Sequence, residues 1–442
     1  MTSTARSTVV LAALGIAVLA SGPVHARSDD ARPLADVLST SGMDLSSLAE
    51  RNGVTGDQLR LMALGGHYEV DRMDGIRSVE PLVAATDSTS ETPVPDGVDV
   101  FALHSRPESS RTLYLDFDGH TAQGTRWRGG ARVVAPPYDA DGHPSTFGAA
   151  ERGAIRDAFL AVAENFRPFD VDVTTQAPDE DRITRSGIGD AEFGTRVVIT
   201  PVDVTGCDCG GQSYVGEFDN HVDHAVHQPS WVYTGAGSTD GKLLAEVVSH
   251  EAGHTLGLLH DGQGGGAEYY YGHQNWAPTM GAAQYQPVTQ WSRGEYRNPS
   301  NRQDDMAVMA REGVPLLADD FVGVGEVEGV VRGVISSDSD VDEFLVRHGG
   351  GELVVTVVPA PFSPNLDVRL TVVGEGGVVI GSVDPPLVRR SAVVAGGMDA
   401  RFSGEVGEGE YVVRVEGVGF GDVGVNGYSG YGSVGEYTLS VG

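Results

Sequence analysis

Lysine is almost missing from this 442-residue chain: Lys242 is the only one, and the other basic side chains are arginines. Basic charge is scarce altogether. Thirty Lys and Arg face 62 Asp and Glu, for a formal net charge of −32. Such a chain repels phosphate backbones and anionic lipid, so sequence-independent nucleic-acid binding is excluded. Cysteine is nearly absent too, and two residues cannot build a disulfide scaffold. Past the first 26 residues no apolar run approaches the roughly 20 residues that span a bilayer, so no membrane insertion is expected. What remains is a chain with 40% apolar residues, enough for a buried core, and with 61 glycines that point to turns and strands. Its length suits two or three domains.

Residues 1–26 have the form of a secretory signal peptide. Arg6 supplies the positive start, Val9 to Ala20 the apolar stretch, and Val24-His25-Ala26 a small-residue cleavage site. A secreted, extracellular and monomeric protein is expected. Residues 27–105 are polar, with Leu34, Val37, Leu38, Leu45, Leu48, Leu61 and Leu64 at helix-like spacing and a loose Pro-containing run over Thr86 to Asp99. They are expected to form a propeptide and linker.

From Arg111 the pattern changes. Strands are predicted at 112–117, 171–175, 196–200 and 230–234, and helices over 149–166 and 242–256, the second capped by Thr239 or Asp240. Strands alternating with two long helices over 106–318 indicate an α/β or α+β catalytic domain, and the resemblance named below implies the α+β form with a mixed twisted sheet. Over 319–442 the helical signal vanishes. Short strands at 352–358, 367–373, 410–415 and 436–441 between Gly/Asp/Pro turns predict an all-β sandwich.

Residues 250–261 read His-Glu-Ala-Gly-His-Thr-Leu-Gly-Leu-Leu-His-Asp. His250 and His254, four apart on a helix, lie about 40° apart around its axis and roughly 6 Å along it. Both imidazoles then reach one Zn²⁺. Glu251 projects toward the same opening, where it can take a proton from a zinc-activated water. Gly257 can adopt positive φ and end the helix, so that His260 closes the site from another direction. Three protein ligands leave one coordination position open, which is the arrangement of a catalytic zinc.

The pattern H-E-x-x-H-x-x-G-x-x-H resembles the metzincin metallopeptidases. Trp276-Ala277-Pro278-Thr279-Met280-Gly281 supplies the family's methionine turn, twenty positions after His260, and Asp261 resembles the reprolysin branch. Ala282 stands where astacins and serralysins carry an extra tyrosine ligand, so that ligand is not expected. Gly211-Gln212-Ser213-Tyr214-Val215-Gly216 is similar to the family's sheet-edge strand, and Ser213, Tyr214, Val215 and Gly216 are its candidate substrate-binding residues. Stretches 113–120 and 290–296 look like those of secreted bacterial members. The tail, through 338–344, 409–415 and 435–441, resembles the bacterial pre-peptidase C-terminal domain. These resemblances imply a secreted zinc endopeptidase acting on protein or peptide substrates, with Gly257, Asp261 and Met280 supporting the site. A matrix- or cell-wall-binding protein on a zinc scaffold, and a zinc amidohydrolase on a non-peptide amide, are the alternatives.

Other clusters carry weaker expectations. His221, His224 and His227 recur in a stretch that favours a solvated loop over a second metal site. Asp304 and Asp305, and Asp338, Asp340 and Asp342, are candidate Ca²⁺ ligands in a chain where solvated acidic loops are the commoner outcome. Tyr269, Tyr270 and Tyr271 are expected to shape a specificity wall. Cys207 and Cys209 are expected to form a local disulfide. Residues 27–105 hold no cysteine, so a thiolate cannot block the zinc. If this region covers the zinc, a carboxylate, an imidazole or plain steric cover must serve, with Asp71 and His104 as candidates.

Overall fold

The computed structural model describes residues 31–40, 44–83 and 93–442, apart from 236, 328 and 392. Residues 1–26, where a signal peptide is expected, and part of the run from Thr86 to Asp99 lie outside the described residues. Among the described residues no helix is long and apolar enough to cross a membrane.

The N-terminal region folds as three short helices, Leu34–Ser39, Leu45–Arg51 and Gly56–Gly65, beside a small antiparallel sheet of Arg32–Pro33, Tyr68–Val70 and Ile76–Ser78. Thr55 starts the third helix with a capping box: its hydroxyl accepts from Gln58 N while Gln58 Oε1 accepts from Thr55 N. Leu34, Val37 and Leu48 are buried as their spacing suggests, but on the third helix Leu59 and Met62 face inward and Leu64 is exposed. The reason lies in the partner surface. This small core closes over Val215 and Leu259 of the central domain.

The central sheet runs Asp172–Thr174, Arg111–Asp116, Phe193–Thr200, Ser230–Tyr233, Gly211–Gln212. The first four are parallel and the last, at the edge, is antiparallel. Two helices, Ala149–Asn165 and Gly241–Thr255, pack on each other in the same core as the sheet. Their approach is close because Gly241 has no side chain: a Cβ there would lie 2.4 Å from Asp157 Cβ and 2.8 Å from Ala154 O. The cap of the second helix is Asp240, which accepts from Leu243 N. The mixed α+β architecture is as expected.

The C-terminal region is a seven-stranded sheet dominated by two long antiparallel strands, Val341–Pro359 and Ala400–Gly417. Each is longer than the run expected from sequence. Their pairing skips at Gly350, in the left-handed region beside Gly351. Buried residues from both halves, Phe344 and Val346 with Leu353, Val355 and Val357, share one core.

Sequence treats this tail as a unit with its own core, yet two clusters cross the junction. Tyr431 and Val434 sit in the core of the central domain, and Leu387, Met398 and Tyr428 pack with Tyr270, Trp276, Val288 and Tyr296. Lys242, the lone lysine, is buried there with its Nζ 2.6 Å from Glu246 Oε1 and 2.9 Å from Ser363 Oγ of the tail.

Candidate metal centre

The helix Gly241–Thr255 delivers His250 and His254 to one face, and its end delivers the third histidine. Gly257 has φ +83°, Gly257 N donates to His254 O and Leu258 N to Gly253 O, a glycine-terminated C-cap that reverses the chain. His260 then meets the other two. Its Nε2 lies 3.0 Å from His254 Nε2.

The tautomers follow from the other ring nitrogens. His250 Nδ1 lies 3.0 Å from Thr279 O, His254 Nδ1 2.8 Å from Leu258 O, and His260 Nδ1 2.5 Å from Glu268 Oε1. All three partners are acceptors, so each Nδ1 carries a proton and each Nε2 faces the common centre. Two Nε2 atoms 3.0 Å apart need a proton or a metal ion between them. Ligands at about 2.0–2.1 Å in tetrahedral array stand about 3.3 Å apart, so the donor set fits zinc.

A fourth group completes the cluster, and it was not among the sequence candidates. Glu80 of the N-terminal region places Oε1 2.8 Å from His260 Nε2 and 3.3 Å from His254 Nε2, and Oε2 3.3 Å from His250 Nε2. The last contact is not an aligned hydrogen bond, since His250 Nε2 has no such partner. The hydroxyl of Tyr269 donates to Glu80 Oε2 at 2.6 Å and lies 3.5 Å from His260 Nε2. Glu80, His250, His254 and His260 form a buried group able to hold a metal ion. Burial alone would raise the Glu80 carboxyl, but the histidines prevail and hold it well below its usual value. Burial likewise works against a charged His260, yet Glu80 and Glu268 lift it to about 10, while burial takes His254 down to about 4.

Glu251, fully buried, accepts from Ser213 Oγ at 2.7 Å and from Ser78 Oγ at 3.3 Å through one oxygen, Oε2. Its other oxygen lies over Gly211, where a Cβ would come within 2.0 Å. Gly211 thus has to be a glycine for Glu251 to stand there. Burial and the Glu80 charge push the Glu251 carboxyl well above its ordinary value.

Of the proposed edge-strand residues, only Ser213 touches Glu251. Tyr214 turns its hydroxyl to Asp71, Val215 N donates to Ile76 O, and Gly216 N donates to His254 O. The edge itself is occupied. Residues 76–80 run antiparallel along 211–215, with Ser78 N donating to Ser213 O, Glu80 N to Gly211 O and Gly210 N to Glu80 O. Asp71 and His104, the expected blocking groups, are engaged elsewhere: Asp71 with Arg126 at 3.2 Å and His104 with Asp172 at 2.7 Å.

Met280 is fully buried beneath the centre. A Cβ on Gly253 would lie 2.6 Å from its sulfur, so the turn packs on the bare back of the helix. Asp261 N donates to Met280 O, and Asp261 accepts from Tyr296 OH at 3.3 Å. Tyr269 and Tyr271 line a cavity of about 130 Å³ beside His250, together with Glu246 and residues 281–285; Tyr270 instead stacks on Tyr296.

The remaining candidates resolve differently. His224 and His227 are buried, not solvated, and bond to Phe218 O and Asp223 O; His221 is exposed. Cys207 and Cys209 are joined. Asp304 caps the helix Asp305–Arg311, and Asp305 accepts from Ser292 N. Asp338 pairs with Arg293.

No protein family matches the chain, and no curated protein sequence matches it either. Among solved structures it is similar to the pre-peptidase C-terminal domain of a collagenase from Bacillus anthracis, at 13% identity and TM-score 0.19, over 28% of this chain and 100% of that one. A periplasmic inhibitor of g-type lysozyme from Aeromonas hydrophila aligns at 13% identity and TM-score 0.18, again over 28% and 100%. A lipase from Bacillus licheniformis in propeptide form aligns at 10% identity and TM-score 0.17, over 82% of this chain and 77% of that one. Overlaps this slight carry no argument about fold or chemistry.

Proposed function

We propose that the chain is a secreted zinc endopeptidase of metzincin type, made as a precursor whose N-terminal region covers its own site. The observation that supports this most is the set of three Nε2 atoms converging beside Glu251 at a sheet edge that already holds an extended peptide. His250, His254 and His260 are the residues that would hold the metal. When bound, zinc supplies Lewis acidity to a scissile carbonyl and to an attacking water.

The chain's own groups do the rest. Residues 211–215 offer backbone donors and acceptors to a substrate strand irrespective of its side chains, as suits a peptidase. Glu251 Oε2, freed from Ser78, takes the proton of the attacking water and returns it to the leaving amine. Ser213 Oγ holds that carboxylate in position through its 2.7 Å bond. The Nδ1–H of each histidine, donating to Thr279 O, Leu258 O or Glu268 Oε1, keeps its ring from turning.

The test is metal analysis with casein hydrolysis, on protein carrying and lacking residues 27–105, before and after chelation. His250→Ala, His254→Ala and His260→Ala should each lose zinc. Glu251→Ala should keep zinc and lose turnover by orders of magnitude. Hydrolysis by Glu251→Ala at the wild-type rate would overturn the reading.

A further inference from the structure

A second group of carboxylates converges far along the chain from the histidines. Asp319, Asp340 and Asp342 bring one oxygen each within 4.8 Å of one another. Asp319 belongs to the connector, which is still tied to the central domain two residues earlier, where Leu317 N donates to Pro168 O. Asp340 and Asp342 flank Val341 at the start of the first long strand of the tail, so alternation turns both to one side.

Asp342 is 0% exposed and Asp340 7%. Each spends one oxygen on the protein. Asp340 Oδ2 accepts from Ser336 N and Oγ at 2.7 and 2.9 Å, and Asp342 Oδ2 accepts from Tyr437 OH at 2.6 Å. The Oδ1 atoms of both are buried without a partner. Asp320 adds a further negative charge nearby, with Oδ2 on Val334 N. Among the described residues no Arg, Lys or His pairs with any of these four carboxylates. Buried acceptors left unpaired are costly, and like charges gathered around them add to that cost. A proton or a cation has to be present.

We propose that Asp319, Asp340 and Asp342 bind a calcium ion, which ties the connector to the tail. The donors are all oxygen, which excludes preference for zinc or copper. Three carboxylates from two separate segments suit the adaptable six-to-eight coordination of Ca²⁺ better than the rigid octahedron of Mg²⁺. The site is independent of the histidine centre and of the peptidase reading. Its effect is on the junction: calcium holds the tail in place where Tyr431 and Val434 enter the central core.

The experiment uses the full chain in calcium-free buffer at about pH 8, where protons compete least with a cation for carboxylates. Adding calcium to about 10 mM should raise Tm by several degrees, with half-saturation at or below the millimolar range typical of extracellular modules. Asp319→Asn, exposed and keeping through its amide oxygen the acceptor for Phe321 N at 2.8 Å, should weaken binding about tenfold. Asp340→Asn should abolish it, and Asp338→Asn should change nothing. Terbium luminescence on the wild type should report one site per chain, and zinc content should stay constant throughout. Three results overturn the proposal: no shift with calcium, a shift undiminished in Asp319→Asn, or an equal shift from magnesium at matched ionic strength.

Discussion

Ser78 and Glu80 stand two residues apart on one extended segment and engage different parts of the centre. Ser78 Oγ reaches Glu251 Oε2 at 3.3 Å, and Glu80 Oε1 reaches His260 Nε2 at 2.8 Å. Strand alternation puts both side chains on the same face, so a single segment covers the base and the metal ligands together.

Removing that carboxylate should unmask the metal. Glu80→Ala in the full precursor should raise peptide hydrolysis at least about tenfold, because it deletes a charged ligand while leaving the edge pairing intact. Zinc should also become faster to extract with a chelator. His104→Ala, remote from the cluster, should alter neither quantity. Equal extraction rates for Glu80→Ala and wild type would show that steric cover, not coordination, keeps the precursor latent.

The tail should not be dispensable. Ending the chain after Leu317 strips Tyr431 and Val434 from the central core, each burial being worth about 1.5–3 kcal/mol. It also uncovers Trp276 and Tyr296. The shortened chain should fail to fold or melt many degrees lower, measured by calorimetry beside the full mature form. A shortened chain with the same melting temperature would make the shared clusters incidental.

One residue of the tail should affect substrate binding more than turnover. Arg389 donates to Tyr285 O, Gln274 O and Gln286 Oε1, each at 2.9 Å, and so braces the segment that walls the cavity beside His250. In the activated enzyme Arg389→Ala should raise KM several-fold with kcat little changed. Gln286→Ala should act through the same brace, and the double variant should be less than additive. Faster amide exchange over 271–286 is the structural counterpart. An unchanged KM with unchanged exchange would remove Arg389 from any positioning role.

The histidine motif was legible because its information is local: helix periodicity fixes His250 and His254, and a single glycine turns the chain to His260. The central strands and both long helices were legible for the same reason. Glu80 was not. Its partners lie more than 170 residues away, and nothing in the sequence around it separates it from Asp71, which spends its charge on Arg126. The acidic group expected at Asp338, Asp340 and Asp342 differs by one member, because Asp338 pairs with Arg293 while Asp319 arrives from the connector. The tail's dependence on the central domain was hidden in a glycine-rich stretch, 417–435, where Tyr431 and Val434 carry no period. Packing across distant segments chose Leu59 and Met62 over Leu61 and Leu64 in the same way.

The junction should also make stability fall as pH rises. Glu164, at the end of the helix Ala149–Asn165, is fully enclosed where the tail docks. A Cβ on Gly435 would lie 2.0 Å from its Oε1, and that oxygen has no partner. Burial first, and then the charge of Glu436, raise its carboxyl to about 8, with Arg167 offsetting part of the shift. A folded-state value above the unfolded value near 4.5 means that the folded protein binds the proton more tightly. The stabilisation is therefore complete below about 4.5 and is lost as pH rises through about 8. Glu164→Gln keeps the shape and removes the titration, so the decline in Tm between those limits should flatten. It will not vanish, because Asp116, Glu217 and Asp367 are also raised by burial to about 7 and act in the same direction. Melting curves of wild type and Glu164→Gln across that interval decide it. Parallel curves would mean that Glu164 holds no proton that the unfolded chain lacks.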